Sequence, residues 1–78
     1  HTFSARLPVH SYLIVQRHGS GYRIIAEGRR DRVSELRVDV PDLEVQSSRG
    51  RVSCETEPDG TLLRFDHSDT KLCWAVVE

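Results

Sequence analysis

From Arg51 to Val77 the chain carries three short runs of β-branched, aromatic and aliphatic residues, and no other stretch restricts its folding as much. The first run, Arg51 to Glu57, stops at Pro58-Asp59-Gly60, and the second, Thr61 to Asp66, stops at His67-Ser68-Asp69-Thr70. A third run, Leu72 to Val77, follows. Strand formers at this length with turn formers between them predict a three-stranded antiparallel meander.

Upstream the same grammar continues. Tyr12 to Val15 is a continuous apolar run, which predicts a central strand with apolar neighbours on both faces. Gly19, Ser20 and Gly21 then supply a hairpin, and Tyr22 to Gly28 resumes the strand pattern. Leu36 to Val40 alternates apolar and polar residues, so one of its faces is buried and the other is wet. Pro41-Asp42 interrupts it, Leu43 to Gln46 resumes it, and Ser47 to Gly50 reads as a further turn. Residues 1–8 read as a lead-in with Phe3 and Leu7 as anchors. The expected fold is all-β: a small antiparallel β-sandwich or barrel of six to seven strands. The alternative is a β-grasp whose one short helix covers residues 30–37, started by Asp31. Only Val33 and Leu36 would form the apolar stripe of that helix, too little to anchor it. The expected core takes Leu13, Val15, Ile24, Leu36, Val38, Phe65, Leu72, Trp74 and Val76 among its members.

A chain of 78 residues, 37% hydrophobic and 29% charged, makes one β domain spanning 1–78. Such a domain buries only around 60% of its unfolded surface, so its stability margin is thin. It has no methionine and begins at His1, and therefore reads as a piece excised from or processed out of a longer protein. No apolar run approaches the ~18 residues of a membrane span.

The net charge of -1 conceals an asymmetry. Seven arginines and four carboxylates lie in residues 1–40, and four basic against eight acidic residues in 41–78. The arginines of one polar stretch, Arg29, Arg30 and Arg32, together with Arg49 and Arg51, are the candidate partner-binding residues, because guanidinium groups bind carboxylates in planar bidentate geometry. A nucleic-acid surface would instead use Arg17, Arg23 and Arg29 to Arg32 around Tyr12 and Tyr22 as stacking platforms, and the acidic second half opposes it.

Motifs for chemistry are missing. His1, His10, His18 and His67 have no ligand spacing, so no metal and no cofactor is expected. Asp66-His67-Ser68-Asp69 holds the residue types of a hydrolase triad, but neighbours on one turn point apart, and a turn bonding its own amides is the simpler reading. The chain is therefore read as not an enzyme. Cys54 and Cys73 are a candidate disulfide that would close a loop of about 20 residues, worth roughly 3 kcal/mol. Two buried thiols read the same way in sequence.

Tyr22 to Ile25 as an early strand, Ser34 to Val40 as the alternating middle, and Phe65-Asp66 with Leu72 seven residues on resemble the CS-type co-chaperone domains, which share the sandwich of small heat-shock proteins. The family's Leu-Pro turn before the middle strand is replaced here by Glu27-Gly28-Arg29-Arg30. The resemblance implies a non-catalytic, cytoplasmic adaptor that docks a chaperone or client through a sheet face or edge. The expected function is thus a protein-protein interaction module whose partner, another protein, meets a sheet edge or the Arg-rich loop. The alternatives are a nucleic-acid-binding β-barrel and a small secreted effector-like sandwich with Cys54 bridged to Cys73.

Overall fold

The computed structural model describes residues 1–78 and contains eight strands and no helix: β1 (Phe3–Arg6), β2 (Tyr12–His18), β3 (Gly21–Glu27), β4 (Val33–Val38), β5 (Val45–Arg49), β6 (Arg51–Glu57), β7 (Gly60–Asp66) and β8 (Leu72–Val77). They form two four-stranded antiparallel sheets, ordered β1-β4-β7-β6 and β2-β3-β8-β5. The protein is a small β-sandwich with one strand more than the upper expectation. The extra strand is β1, whose Phe3 and Ala5 oppose Val38 and Leu36, so the lead-in is an edge strand. No helix is present, so none is long and apolar enough to cross a membrane.

The β-grasp helix does not form. Arg29 to Arg32 is a turn closed by the Arg32 amide on the Arg29 carbonyl at 3.1 Å, and β4 begins at Val33. Asp31 caps nothing and instead lies between Arg29 and Arg32, at 3.7 and 3.6 Å.

The meander is only half formed. β6 and β7 make the expected hairpin through Pro58-Asp59. β8 then leaves for the other sheet, because the far side of β7 is taken by β4 over six residue pairs. β5 runs on to Arg49, so the turn expected over Ser47 to Gly50 shrinks to the corner at Gly50. A register shift between Val45 and Ser47 bulges this strand.

Phe65, Leu63, Leu36, Val38, Ile24 and Tyr22 dominate the core between the sheets. β8 enters it with Cys73, Ala75 and Val77 rather than with the expected Leu72, Trp74 and Val76. Small side chains on β8 leave room for Leu63 and Phe65 across the interface, as close packing requires. A shift of one residue moves a whole strand face outward, and Trp74 is consequently on the outside, directly opposite Ile25 and Arg49.

Candidate functional site

Antiparallel pairing brings four connections to one end of the sandwich: residues 7–11, 28–32, 67–71 and the corner at Gly50. The Gly28 amide on the Lys71 carbonyl (3.0 Å) and the His67 amide on the Arg32 carbonyl (3.0 Å) tie them together. Arg29, Arg30, Arg32, Arg49 and Arg51 all come to this end, although they are far apart in sequence. Arg6 and Lys71 join them. Arg51 Nε donates to Asp69 Oδ2 at 2.9 Å, and Arg30 Nη2 donates to the Asp69 carbonyl at 3.3 Å. Arg6, Arg30 and Arg49 have no carboxylate within ion-pair distance. Against these seven cations stand Glu27, Asp31, Asp66 and Asp69. The Asp66 carboxyl is held below its ordinary value by the hydroxyl and amide of Ser68, helped by Arg51. Arg6, Leu7 and Val9 face Arg29, Arg32 and Val33 across a groove of about 490 Å³. Its apolar members were not legible as a site, because Leu7 and Val9 lie twenty or more residues from Arg29.

The opposite end is acidic. Asp39, Asp42, Glu44, Glu57, Asp59 and Glu78 lie there, with Arg17, Arg37, His1 and His18 as the basic groups. What reads in sequence as a basic half and an acidic half is in space a basic end and an acidic end.

Arg17 and Tyr22 do not join the arginine cluster. Tyr22 is buried under Phe3 (centroids 5.3 Å) and Arg17 (5.5 Å) at the acidic end. The stacking platform expected of Tyr12 and Tyr22 is therefore not formed.

The interior carries polar chemistry that adjacency in sequence concealed. His67 is fully buried, with Nε2 2.8 Å from Ser34 Oγ and Nδ1 3.6 Å from Cys73 Sγ. A Cβ on Gly28 would lie 2.8 Å from the imidazole, so glycine is what admits the ring. Burial pushes the Cys73 thiol up, and the carboxylates of Asp66 and Asp69 add to this. A sealed, protonated thiol is no nucleophile. Ser68, the serine of the triad-like string, is outside and bonds Asp66 instead. The four histidines are dispersed, and no three His, Cys, Asp or Glu side chains converge as metal ligands would.

Cys54 and Cys73 are both free, which corrects the candidate disulfide. Cys54 lies opposite Leu63 and beside Val45, whereas Cys73 lies against His67, four residues beyond Leu63 and just past the end of β7. That is a separation of about 10 Å or more along the strands, beyond the roughly 7 Å between Cα atoms that a disulfide spans. Burial raises the Cys54 thiol as well.

The sheets present four edges, and three are guarded. β1 has only four residues; β5 is bulged and reads Gln46-Ser47-Ser48-Arg49; β6 sets Arg51, Glu55 and Glu57 along its rim. Shortness, bulges and charge are what deter strand addition. β2 is neither short nor bulged, and its one charged side chain besides His18 is Arg17 at the hairpin end, drawn over the Tyr22 ring. It runs in unbroken register for seven residues and carries Tyr12, Leu13, Ile14 and Val15. Tyr12 and Ile14 are 45% and 44% exposed on the outer face.

The direction of its free groups follows from the hairpin. His18 and Gly21 are paired across a two-residue loop in which Gly19 has a φ of 59°, as a type II′ turn needs at its first central position. The closing pair of such a loop exchanges both hydrogen bonds, and the pattern alternates from there. His18, Gln16, Ile14 and Tyr12 therefore bond to β3, while the amides and carbonyls of Arg17, Val15 and Leu13 point to the open edge.

The chain matches no protein-family model, no curated protein and no solved structure.

Proposed function

We propose that this protein is a non-enzymatic interaction module that takes up an extended segment of another protein along β2. The observation that carries the reading is the contrast among the edges: β2 alone is long, regular and apolar. A strand laid there gains main-chain hydrogen bonds from Leu13, Val15 and Arg17 and covers Tyr12 and Ile14, the usual balance of affinity and specificity in strand addition.

The Arg-rich loop belongs to the same reading. The β2 N-terminus lies at the basic end, so an antiparallel partner strand has its C-terminal end there. Carboxylates at that end of the partner meet Arg6, Arg29 and Arg32, and its apolar residues meet Leu7, Val9 and Val33. Docking through a sheet face or edge is what the CS-type resemblance implies, and the β2 edge is one of those two modes.

A Val/Thr-rich peptide ending in two glutamates tests this, followed by amide chemical shifts. Shifts are expected at Leu13, Val15 and Arg17, with weaker binding when Arg29, Arg30 and Arg32 become Ala and the thermal midpoint barely moves. Shifts spread elsewhere, or binding indifferent to those arginines, would remove the proposal. A labelled oligonucleotide at two salt concentrations is the comparison, and it is expected to bind far more weakly than the peptide.

A further inference from the structure

We infer that the β2 edge pairs with β2 of a second copy of this chain, in antiparallel register centred on Ile14, so that the module is a reversible dimer when no other strand occupies it. This rests on the reading of β2 as the open edge and goes on to name its occupant. Three features of the molecule point to a second copy.

The first is hydrogen-bond phase. A two-fold axis perpendicular to the sheet preserves which face each side chain is on, so opposed residues must have numbers of the same parity. With Ile14 on the axis, Leu13 opposes Val15 of the other copy, and Val15 opposes Leu13. Both are residues whose amides and carbonyls point outward, so each such pair exchanges two bonds. The edge is its own template.

The second is side-chain matching. The centred register places Ile14 against Ile14, Leu13 against Val15, Tyr12 against Gln16 and Ser11 against Arg17. No like charges are opposed, and every apolar residue of the edge meets another or an uncharged neighbour, which is the favourable case for cross-strand pairs. Shifting the axis to Val15 would set Leu13 against Arg17, and shifting it to Leu13 would set Val15 against Ser11. The centred arrangement is the best of the three.

The third is charge. Antiparallel copies lie with the basic end of one beside the acidic end of the other. The Glu78 carboxylate, next to Gly19 at the end of the β2 hairpin, comes toward the other copy's residues 10 and 11 and the arginine groove beyond them, beside Arg17 and His18 of its own hairpin, which oppose Ser11 and His10 in this register. The two outer faces stay on one side, so Ile14, Ile25 and Trp74 of both copies join across the axis.

One added strand buries less than the ~1,200 Å² at the lower limit of stable interfaces. The dimer is accordingly expected to be weak, with a Kd of about 0.1 to 1 mM, and weaker still in added salt because exposed charges are screened.

The test is sedimentation of the full chain from about 20 μM to 2 mM, together with cysteine cross-linking. Opposed residues outside the hydrogen-bonded pairs have Cα atoms about 4.5 Å apart, within disulfide reach. Ile14→Cys should therefore cross-link rapidly. Gln16→Cys, about 13 Å from its own copy in this register, should not. Val15→Pro removes an amide that bonds nothing in the monomer and is expected to abolish the dimer at unchanged far-UV circular dichroism. Should that variant unfold, Ile14→Lys serves instead.

A chain that stays monomeric at every concentration overturns the inference, and so does a dimer that cross-links no faster at 14 than at 16. In the monomeric case the Val/Thr-rich peptide separates the two readings. Shifts at Leu13, Val15 and Arg17 would leave β2 as a partner edge without self-pairing, and no shifts would remove both.

Discussion

The two outer faces of this sandwich are made from strands of similar length, yet they meet water in opposite ways. On the β4–β7 sheet, Arg64 donates twice to Glu35 at 3.0 and 2.9 Å. Arg37 reaches over β7 to Glu57 at 3.0 Å. Beneath these pairs Leu62 is only 4% exposed, although it points away from the core. On the β3–β8 sheet Ile25, Trp74 and Val76 are half-buried, Leu72 and Ile14 are more open, and none of the structure's ion pairs roofs them. The lesson is that the stems and heads of long charged side chains can finish a sheet face. On the other face Arg23 lies opposite Val76 and Arg49 opposite Trp74, but neither is held there by a carboxylate, and the face and its edge are left with apolar area to cover.

The largest effect should come from one chemical change made on both faces. Leu62→Ala removes a buried side chain and is expected to cost about 2 to 3 kcal/mol. Leu72→Ala, at an exposed position, is expected to cost under about 1 kcal/mol. Urea unfolding measures both, and equal losses would break the comparison.

A smaller effect is expected from the ionic roof itself. A double-mutant cycle on Glu35→Gln and Arg64→Ala should give a coupling of about 0.5 to 1 kcal/mol, the upper part of the range for exposed pairs, and less in 1 M salt. Coupling that ignores salt would mean the pair acts through packing rather than charge.

The smallest concerns the seam between the faces. Cys54 and Cys73 both have thiols raised above the ordinary value of 9.0. A group raised in the folded state stabilises fully below its unfolded value and loses that contribution as pH rises through the folded one. Urea midpoints should therefore be unaffected by the thiols below pH 9 and decline above it, less so in Cys73→Ala than in the parent chain. Native alkylation at pH 8 should reach Cys54 before Cys73.

Much of the strand layout could be read directly. Gly19-Ser20 and Pro58-Asp59-Gly60 announce their turns, and Leu36-Arg37-Val38 declares its buried side because its two parities differ in polarity. The arginines of 29–32 were recognisable as a surface cluster for the same reason. β8 could not be read this way. Leu72, Trp74 and Val76 are apolar, and so are Cys73, Ala75 and Val77, so alternation carried no phase, and the bulkier set was the natural but mistaken choice for the core. His67 misled in the other direction: set in a string of turn formers it looks solvent-facing, and only the 2.8 Å contact with Ser34, thirty-three residues away, makes it interior.

Sequence alone determined that this chain would pleat, where most of its turns would fall and which stretches would be charged, because these depend on neighbours one to four residues apart. Tertiary structure decided which strand of each pair would be an edge, which side of β8 would face inward, and that the arginines of 29–32 would share an end with Arg6, Arg49 and Arg51. Those outcomes depend on competition for the two sides of β7 and for the limited volume between the sheets, and neither is a property of any one segment.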